Sequence, residues 1–419
     1  MSNWQEYRLA DICKKIGSGA TPRGGNDTYL KEGEYALIRS QNVIDFEFSY
    51  NGLAYISEEQ AAKLNNVSVE LNDVLLNITG DSVARVCTPP KNVLPARVNQ
   101  HVAIIRTYEN LLNPLYLKYY LLNPVFKEYM LMLSSSGGTR NAITKGMIEE
   151  FKILAPDLIT QTDIAEILSS LDDKIELNNK INQELENLAQ TLFKRWFVDF
   201  DFPNENGEPY KSSGGEMVDS ELGEIPKGWA VGTIYSISNV IYGAPFKSSL
   251  FNQDNKGFPL IRIRDLKTFN PQYWTEECHP KGIKIYAGDL IVGMDAEFRP
   301  KIWLGQEAWL NQRLCHFKPK AGYSKLFVRE IIRPQLAFFE NSSVGTTVIH
   351  LGKADIDTFK SIIPSKQTLL MFEELSNSIF NDIINNSLEN HKLINLRETL
   401  LPKLISGELE VQQELSQTI

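Results

Sequence analysis

Arginine, glutamine and asparagine gather in a short polar run, Arg39-Ser40-Gln41-Asn42, and a second run, Arg262-Ile263-Arg264-Asp265, has the same character. A guanidinium matches guanine O6 and N7, a carboxamide matches adenine N6 and N7, and a carboxylate accepts from cytosine N4. Such side chains can read base edges. Ser18, Thr21 and Arg23 form another cluster, with Lys247 and Ser248 in the matching place further along. A third pair of stretches, Ser134 to Asn141 and Ser342 to Thr347, is rich in hydroxyls and glycine. There Arg140, Asn141, Thr346 and Thr347 suit phosphate contacts through side chains and exposed backbone N–H groups. Arg299 is a further DNA-binding candidate. For each cluster a solvated loop is the competing reading, and Asn99-Gln100 and Asn311-Gln312 also suit capping of buried backbone at a strand start.

Catalytic chemistry is not legible. The chain has no GxxxxGK[ST] loop for a nucleotide triphosphate and no GxSxG nucleophile turn. Adenine methylation calls for an Asn-Pro-Pro-aromatic or Asp-Pro-Pro-aromatic sequence, and Thr88-Pro89-Pro90-Lys91 lacks both the amide and the aromatic. Asp295-Ala296-Glu297 with Lys301 has a passing likeness to a magnesium-holding nuclease set, with a solvated loop the competing reading. The four cysteines lie far apart, and Cys278-His279 and Cys315-His316 are adjacent pairs, a poor ligand spacing. No catalytic residue, metal site or resident cofactor is expected.

The polar clusters recur because the chain repeats. Leu37-Ile38-Arg39 returns as Leu260-Ile261-Arg262, and Val98-Asn99-Gln100 as Leu310-Asn311-Gln312. Gly138-Thr139 matches Gly345-Thr346, and Phe151-Lys152 matches Phe359-Lys360. The order is kept while the offset drifts, as when only surface loops change length. Each copy ends in a long helical segment. Spacings of four and three lead from Ile164 through Asn178 and Asn182 to Trp196, and from Phe372 through Asn386 and Asn390 to Leu404. The asparagines fall at equivalent heptad positions, the pattern of a coiled-coil seam with a polar layer that specifies register. Two separate amphipathic helices are the alternative. About 35 helical residues make a rod of roughly 50 Å. Between the first helix and the second copy, residues 201–228 read as an acidic connector that lets the chain turn back.

Charge sharpens this division. The formal net charge is −9, which at first argues against a nucleic-acid partner. Yet residues 1–155 are neutral and residues 229–364 carry +5, so the acidity is confined to the helices and connector. The globular parts can still offer basic faces to phosphates. No apolar run reaches the length of a membrane span, and the N-terminus lacks an export signal, so a cytoplasmic protein is expected.

Three stretches carry a family resemblance. Leu-Gly-Glu-Ile-Pro-Lys-Gly-Trp at 222–229, Leu-Phe-Lys-Arg-Trp-Phe-Val-Asp-Phe at 192–200 and Leu-Pro-Lys-Leu-Ile-Ser-Gly-Glu-Leu at 401–409 resemble the specificity subunits of type I restriction-modification systems. The resemblance covers nearly the whole chain. It implies an α/β (α+β) fold with two similar target recognition domains separated by two long antiparallel coiled-coil helices, a pseudo-two-fold repeat. The expected division is 1–155 and 229–364 for the recognition domains, 156–200 and 365–410 for the helices, 201–228 for the connector and 411–419 for a tail. It further implies a bipartite double-stranded DNA target with a spacer set by the helices. Two methylation subunits would bring S-adenosylmethionine, and a restriction motor-nuclease would use ATP and magnesium. Asn178, Asn182, Trp196, Asn386 and Asn390 are expected at the helix pairing or partner-docking surface. A coiled-coil adaptor with protein-binding globular ends is the competing function.

Overall fold

A computed structural model describes residues 4–22, 24–135, 141–295, 298–341 and 350–411. The chain divides into two compact units, one made of residues 1–175 and 392–419, the other of residues 176–391.

In the first unit, short apolar runs become central strands because β-branched residues fill both faces of a buried sheet. Val74–Asn77 and Val102–Thr107 pair antiparallel, with Leu75 opposite Ile104, and are flanked by Cys13–Ser18 and Val86–Cys87. A second four-stranded sheet holds Ala54–Ile56, Tyr35–Ile38, Ala96–Val98 and Ser68–Val69. Its middle pair is parallel, with Leu37 opposite Arg97. Apolar residues of the two sheets, among them Leu37, Leu75, Val98 and Ile104, form one core. Helix Pro114–Leu122 begins where Asn113 Oδ1 accepts from the Leu115 and Tyr116 amides, with proline in the first turn. Its buried face joins a larger core that includes Ile164, Leu168, Leu401 and Leu404 of the two long helices.

The second unit repeats the plan. Ser238–Tyr242, Leu314–Pro319, Leu290–Gly293 and Lys301–Ile302 stand in the order of the first unit's antiparallel sheet. Phe258–Ile261 and Ala308–Leu310 form the parallel pair, with Leu260 opposite Trp309. One extra strand, Phe251–Asn252, lies at the edge. A small antiparallel pair closes each unit, Gln5–Arg8 with Lys152–Ala155 and Ala230–Thr233 with Lys360–Ile363.

The long helices are Leu158–Phe197 and Lys366–Ser406. No residue of the two expected seams is exposed. In the second unit Asn178 Nδ2 donates to Asn390 Oδ1 at 2.9 Å, and Asn386 Nδ2 donates to Asn182 Oδ1 at 2.9 Å. Numbers rise along one helix as they fall along the other, so the two run antiparallel there. In the first unit Arg397 meets Asp172 at 2.6 Å.

Trp196, the last residue of the first expected seam, lies where the two long helices pair: it is 4% exposed and packs on Phe372 of the second helix and on Phe197 within the second unit's core. Residues of the 201–228 stretch are packed as well. Phe202 stacks between Tyr210 and Trp229, at 4.7 and 5.0 Å between ring centres, and Met217–Val218 pairs with Ile225–Pro226. Aromatic burial holds this acidic stretch in place despite its prolines and glycines.

Candidate nucleic-acid interface

The turn Ser40–Asn42 follows strand Tyr35–Ile38 and is closed by Asn42. Its Oδ1 accepts from the Arg39 amide at 3.0 Å and its Nδ2 donates to Ser49 O at 2.9 Å. Asn42 is fully buried, so its amide holds the turn and does not face outward as the sequence suggested. Asp265 takes the same place in the second unit, where its Oδ2 accepts from the Arg262 amide at 2.8 Å. It too is buried, which pushes its carboxyl above the ordinary range despite the backbone donors and Arg262. Both are turn formers, because a buried polar group needs internal partners.

These caps turn their neighbours outward. Gln41 and Arg264 are exposed, while Arg39 and Arg262 are half-buried. Arg39 lies 5.1 Å from the Tyr29 ring centre and donates to Gly52 O; Arg262 lies 4.4 Å from that of Tyr273. An aromatic face thus steadies each guanidinium. Gln41 Nε2 donates to Gly52 O at 3.1 Å.

The central strand anchors the first turn. Asn77, buried at its end, donates to Ser40 O at 2.8 Å and Val43 O at 3.2 Å. Ser40 and Gln41 line a cleft of about 460 Å3 together with Thr79, Gly80, Asp81, Ser82, Arg85 and His101. The loop after Cys13–Ser18 reaches the same end of the unit: Gly19 donates to Asn99 O at 3.1 Å and Thr21 Oγ1 to Gln100 Oε1 at 2.6 Å. A Cβ on Gly19 would lie 1.7 Å from Val98 O, and one on Gly243 2.0 Å from Asn311 O. Only glycine lets either loop come so near the strand. Asn141 O accepts from Gly80 N at 3.1 Å. Thr21, Ser40, Gln41 and Asn141 are therefore gathered near one cleft, with Ser18 exposed at its strand's end.

In the second unit Lys247 and Ser248 are exposed in the loop after Ser238–Tyr242, and the Lys247 amide donates to Glu277 Oε2 at 2.8 Å. Arg299 is exposed, 3.5 Å from Glu340, and lines a cleft of about 380 Å3 with Lys301 and Arg333. Asp295 Oδ1 pairs with Arg313 Nη1 at 3.2 Å and His350 Nδ1 at 2.8 Å. The neighbouring Ala296 and Glu297 of the magnesium-holding likeness lie outside the described residues. Arg23, Arg140, Thr346 and Thr347 also lie outside them. Among the described residues no group of three or more His, Cys, Asp or Glu is placed to hold a metal. No helix among them is long and apolar enough to cross a membrane.

Sequence reasoning missed Thr79, Asp81, Arg85 and His101. They come from strand ends far from Ser40 in the chain, and their one signal was the repeated Asn-Gln corner at 99–100 and 311–312, which also suits a structural cap.

A family model described as the type I restriction modification DNA specificity domain matches residues 1–187 and again residues 226–398. The type I restriction enzyme HindI specificity subunit of Haemophilus influenzae is 26% identical over 98% of this chain and all of that protein. The MjaIX specificity subunit of Methanocaldococcus jannaschii is 28% identical over 98% of this chain and 94% of its own. In fold, the chain is similar to the crystal structure of a type I restriction-modification S subunit from M. genitalium. The TM-score is 0.57 with 14% identity, covering 96% of each chain.

Proposed function

The chain belongs to the family of type I restriction-modification DNA specificity subunits, and from that premise we propose that it reads a bipartite duplex target, one half-site with each repeated unit. Its part in the system is recognition; catalysis resides in partner subunits. The observation that supports the bipartite reading most directly is the doubled turn. The same backbone corner, closed by Asn42 in one unit and Asp265 in the other, leaves Gln41 exposed beside a half-buried Arg39 in the first and Arg264 exposed beside a half-buried Arg262 in the second. One scaffold with two different sets of base-reading side chains suits two different half-sites. Ser18, Thr21, Lys247, Ser248, Arg299 and Asn141 would supply phosphate contacts that position the duplex.

The long helices would set the spacer and carry the docking surface for two methylation subunits. Leu177, Ile181 and Leu188 are 51%, 39% and 53% exposed and fall on one helical face, an apolar stripe suited to a partner. The methylation subunits would supply S-adenosylmethionine, and a restriction motor-nuclease would supply ATP hydrolysis and its magnesium, in the cytoplasm where the DNA lies. A coiled-coil adaptor for other proteins is not favoured by the family match.

The test is to combine the chain with its methylation subunits and sequence the methylated positions on genomic DNA. Two short specified sequences separated by a fixed unspecified gap are expected. Methylation without sequence preference, or at one uninterrupted motif, would overturn the reading.

A further inference from the structure

The Asn-Gln corner that ends each parallel strand pair is followed by a different residue in each unit: His101 in the first and Arg313 in the second. Both face the end of the central strand of the neighbouring sheet. Thr79 bridges Ala142 there, and Asp295 bridges His350 in the same way, so Thr79 and Asp295 occupy one position of the repeat. The scaffold is shared and the chemistry is not.

In the first unit the side chains form a directed chain. Thr21 Oγ1 donates to Gln100 Oε1 at 2.6 Å, and Gln100 Nε2 lies 2.8 Å from His101 Nε2. An amide nitrogen only donates, so His101 Nε2 accepts and the ring proton sits on Nδ1. From there it is donated to Thr79 Oγ1 at 2.5 Å. Gln100 keeps one N–H and one carbonyl lone pair for a ligand, and it is exposed. That is the donor and acceptor that adenine N6 and N7 require. In the second unit Asp295 Oδ1 holds Arg313 by Nη1 at 3.2 Å, with His350 Nδ1 3.0 Å from the same nitrogen. The Arg313 side chain is 55% exposed, and among the described residues its Nε and Nη2 edge has no partner. A guanidinium edge held at one end is built for guanine O6 and N7.

We propose that the position held by His101 in one unit and Arg313 in the other makes the two half-sites differ: His101, with Thr79, orients the neighbouring Gln100 to read an adenine in one, and Arg313, oriented by Asp295, itself reads a guanine in the other. The inference rests on the specificity reading above and adds residues that the polar loop clusters do not contain. Gln100 and Arg313 touch the base; His101, Thr79 and Asp295 are positioning residues.

The experiment uses the complex of the full chain with its methylation subunits on a library of randomised duplexes, read by sequencing the methylated products. Arg313→Lys keeps the charge but loses the fork, and both it and Gln100→Ala change exposed side chains, so folding is checked by melting temperature against wild type. Arg313→Lys is expected to lower discrimination about tenfold or more at one guanine of one half-site and leave the other half-site intact. Gln100→Ala is expected to do the same at one adenine of the opposite half-site. His101→Ala should relax that same adenine position, whereas a merely structural role would lower methylation of all sequences alike. A normal wild-type motif that both substitutions leave unchanged, weaken uniformly, or relax at some other base would overturn this inference alone. A wild-type complex with no bipartite motif would overturn the specificity reading and this inference with it.

Discussion

Buried cations tie each globular part to a long helix through one side chain at one place in the repeat. Lys118 lies five residues after the helix cap Asn113, and Arg329 five residues after the cap Ser324. Lys118 meets Asp172 at 2.8 Å, which also takes Arg397 at 2.6 Å and the Tyr119 hydroxyl at 2.7 Å. Arg329 grips Glu186 with two bonds of 2.7 Å. Removing the shared carboxylate would leave two cations buried without their counter-charge, which typically costs about 3–5 kcal/mol. Asp172→Ala should show a loss of that order in urea unfolding, well above what an exposed helical carboxylate such as Glu176 costs. Gly19→Ala and Gly243→Ala should each cost about 1–3 kcal/mol, because the new methyl meets strand carbonyls that cannot yield. A fall in melting temperature would show it, and an unchanged one would mean the loops are not held against the corner.

At the scale of the helices, the asparagine layers trade stability for register. Asn178 with Asn390, and Asn182 with Asn386, are polar rungs of the seam in the second unit. Replacing all four by leucine should raise the melting temperature while allowing other registers. Calorimetry would measure the first effect, and cysteine cross-linking across the seam the second. The exposed stripe makes a separate demand. Leu177→Glu with Leu188→Glu should leave the chain folded but weaken its association with the methylation subunits, as gel filtration would report. Unchanged assembly would place docking elsewhere. Because the helices would set the spacer, matched one-turn insertions in both, each adding about 5.4 Å, should lengthen the gap in the methylated motif and leave the half-sites intact.

For the whole molecule the central expectation is modularity. Each unit has its own sheets, its own core and its own version of the corner. Exchanging residues 1–155 for the corresponding part of another family member should alter one half-site and spare the other. Simultaneous change of both, seen in the methylated sequences, would mean that the units do not read independently.

The repeat, the helical seams and the family were legible in the sequence because each is carried by many residues at regular spacing. Heptads bury every third or fourth side chain, and a duplicated fold preserves the order of its landmarks even when single residues change. Single positions are less determined. Gln41 and Asn42 are neighbours of similar chemistry, yet one faces solvent and the other is buried as a cap. Which amide turns inward depends on the backbone donors within reach once the chain has bent, and on Asn77 arriving from a strand 35 residues later. The cleft that joins Ser40 to Thr79 and His101 and the exposed guanidinium edge of Arg313 share that origin. Each is made by elements distant in sequence that only long-range strand pairing and side-chain packing bring together.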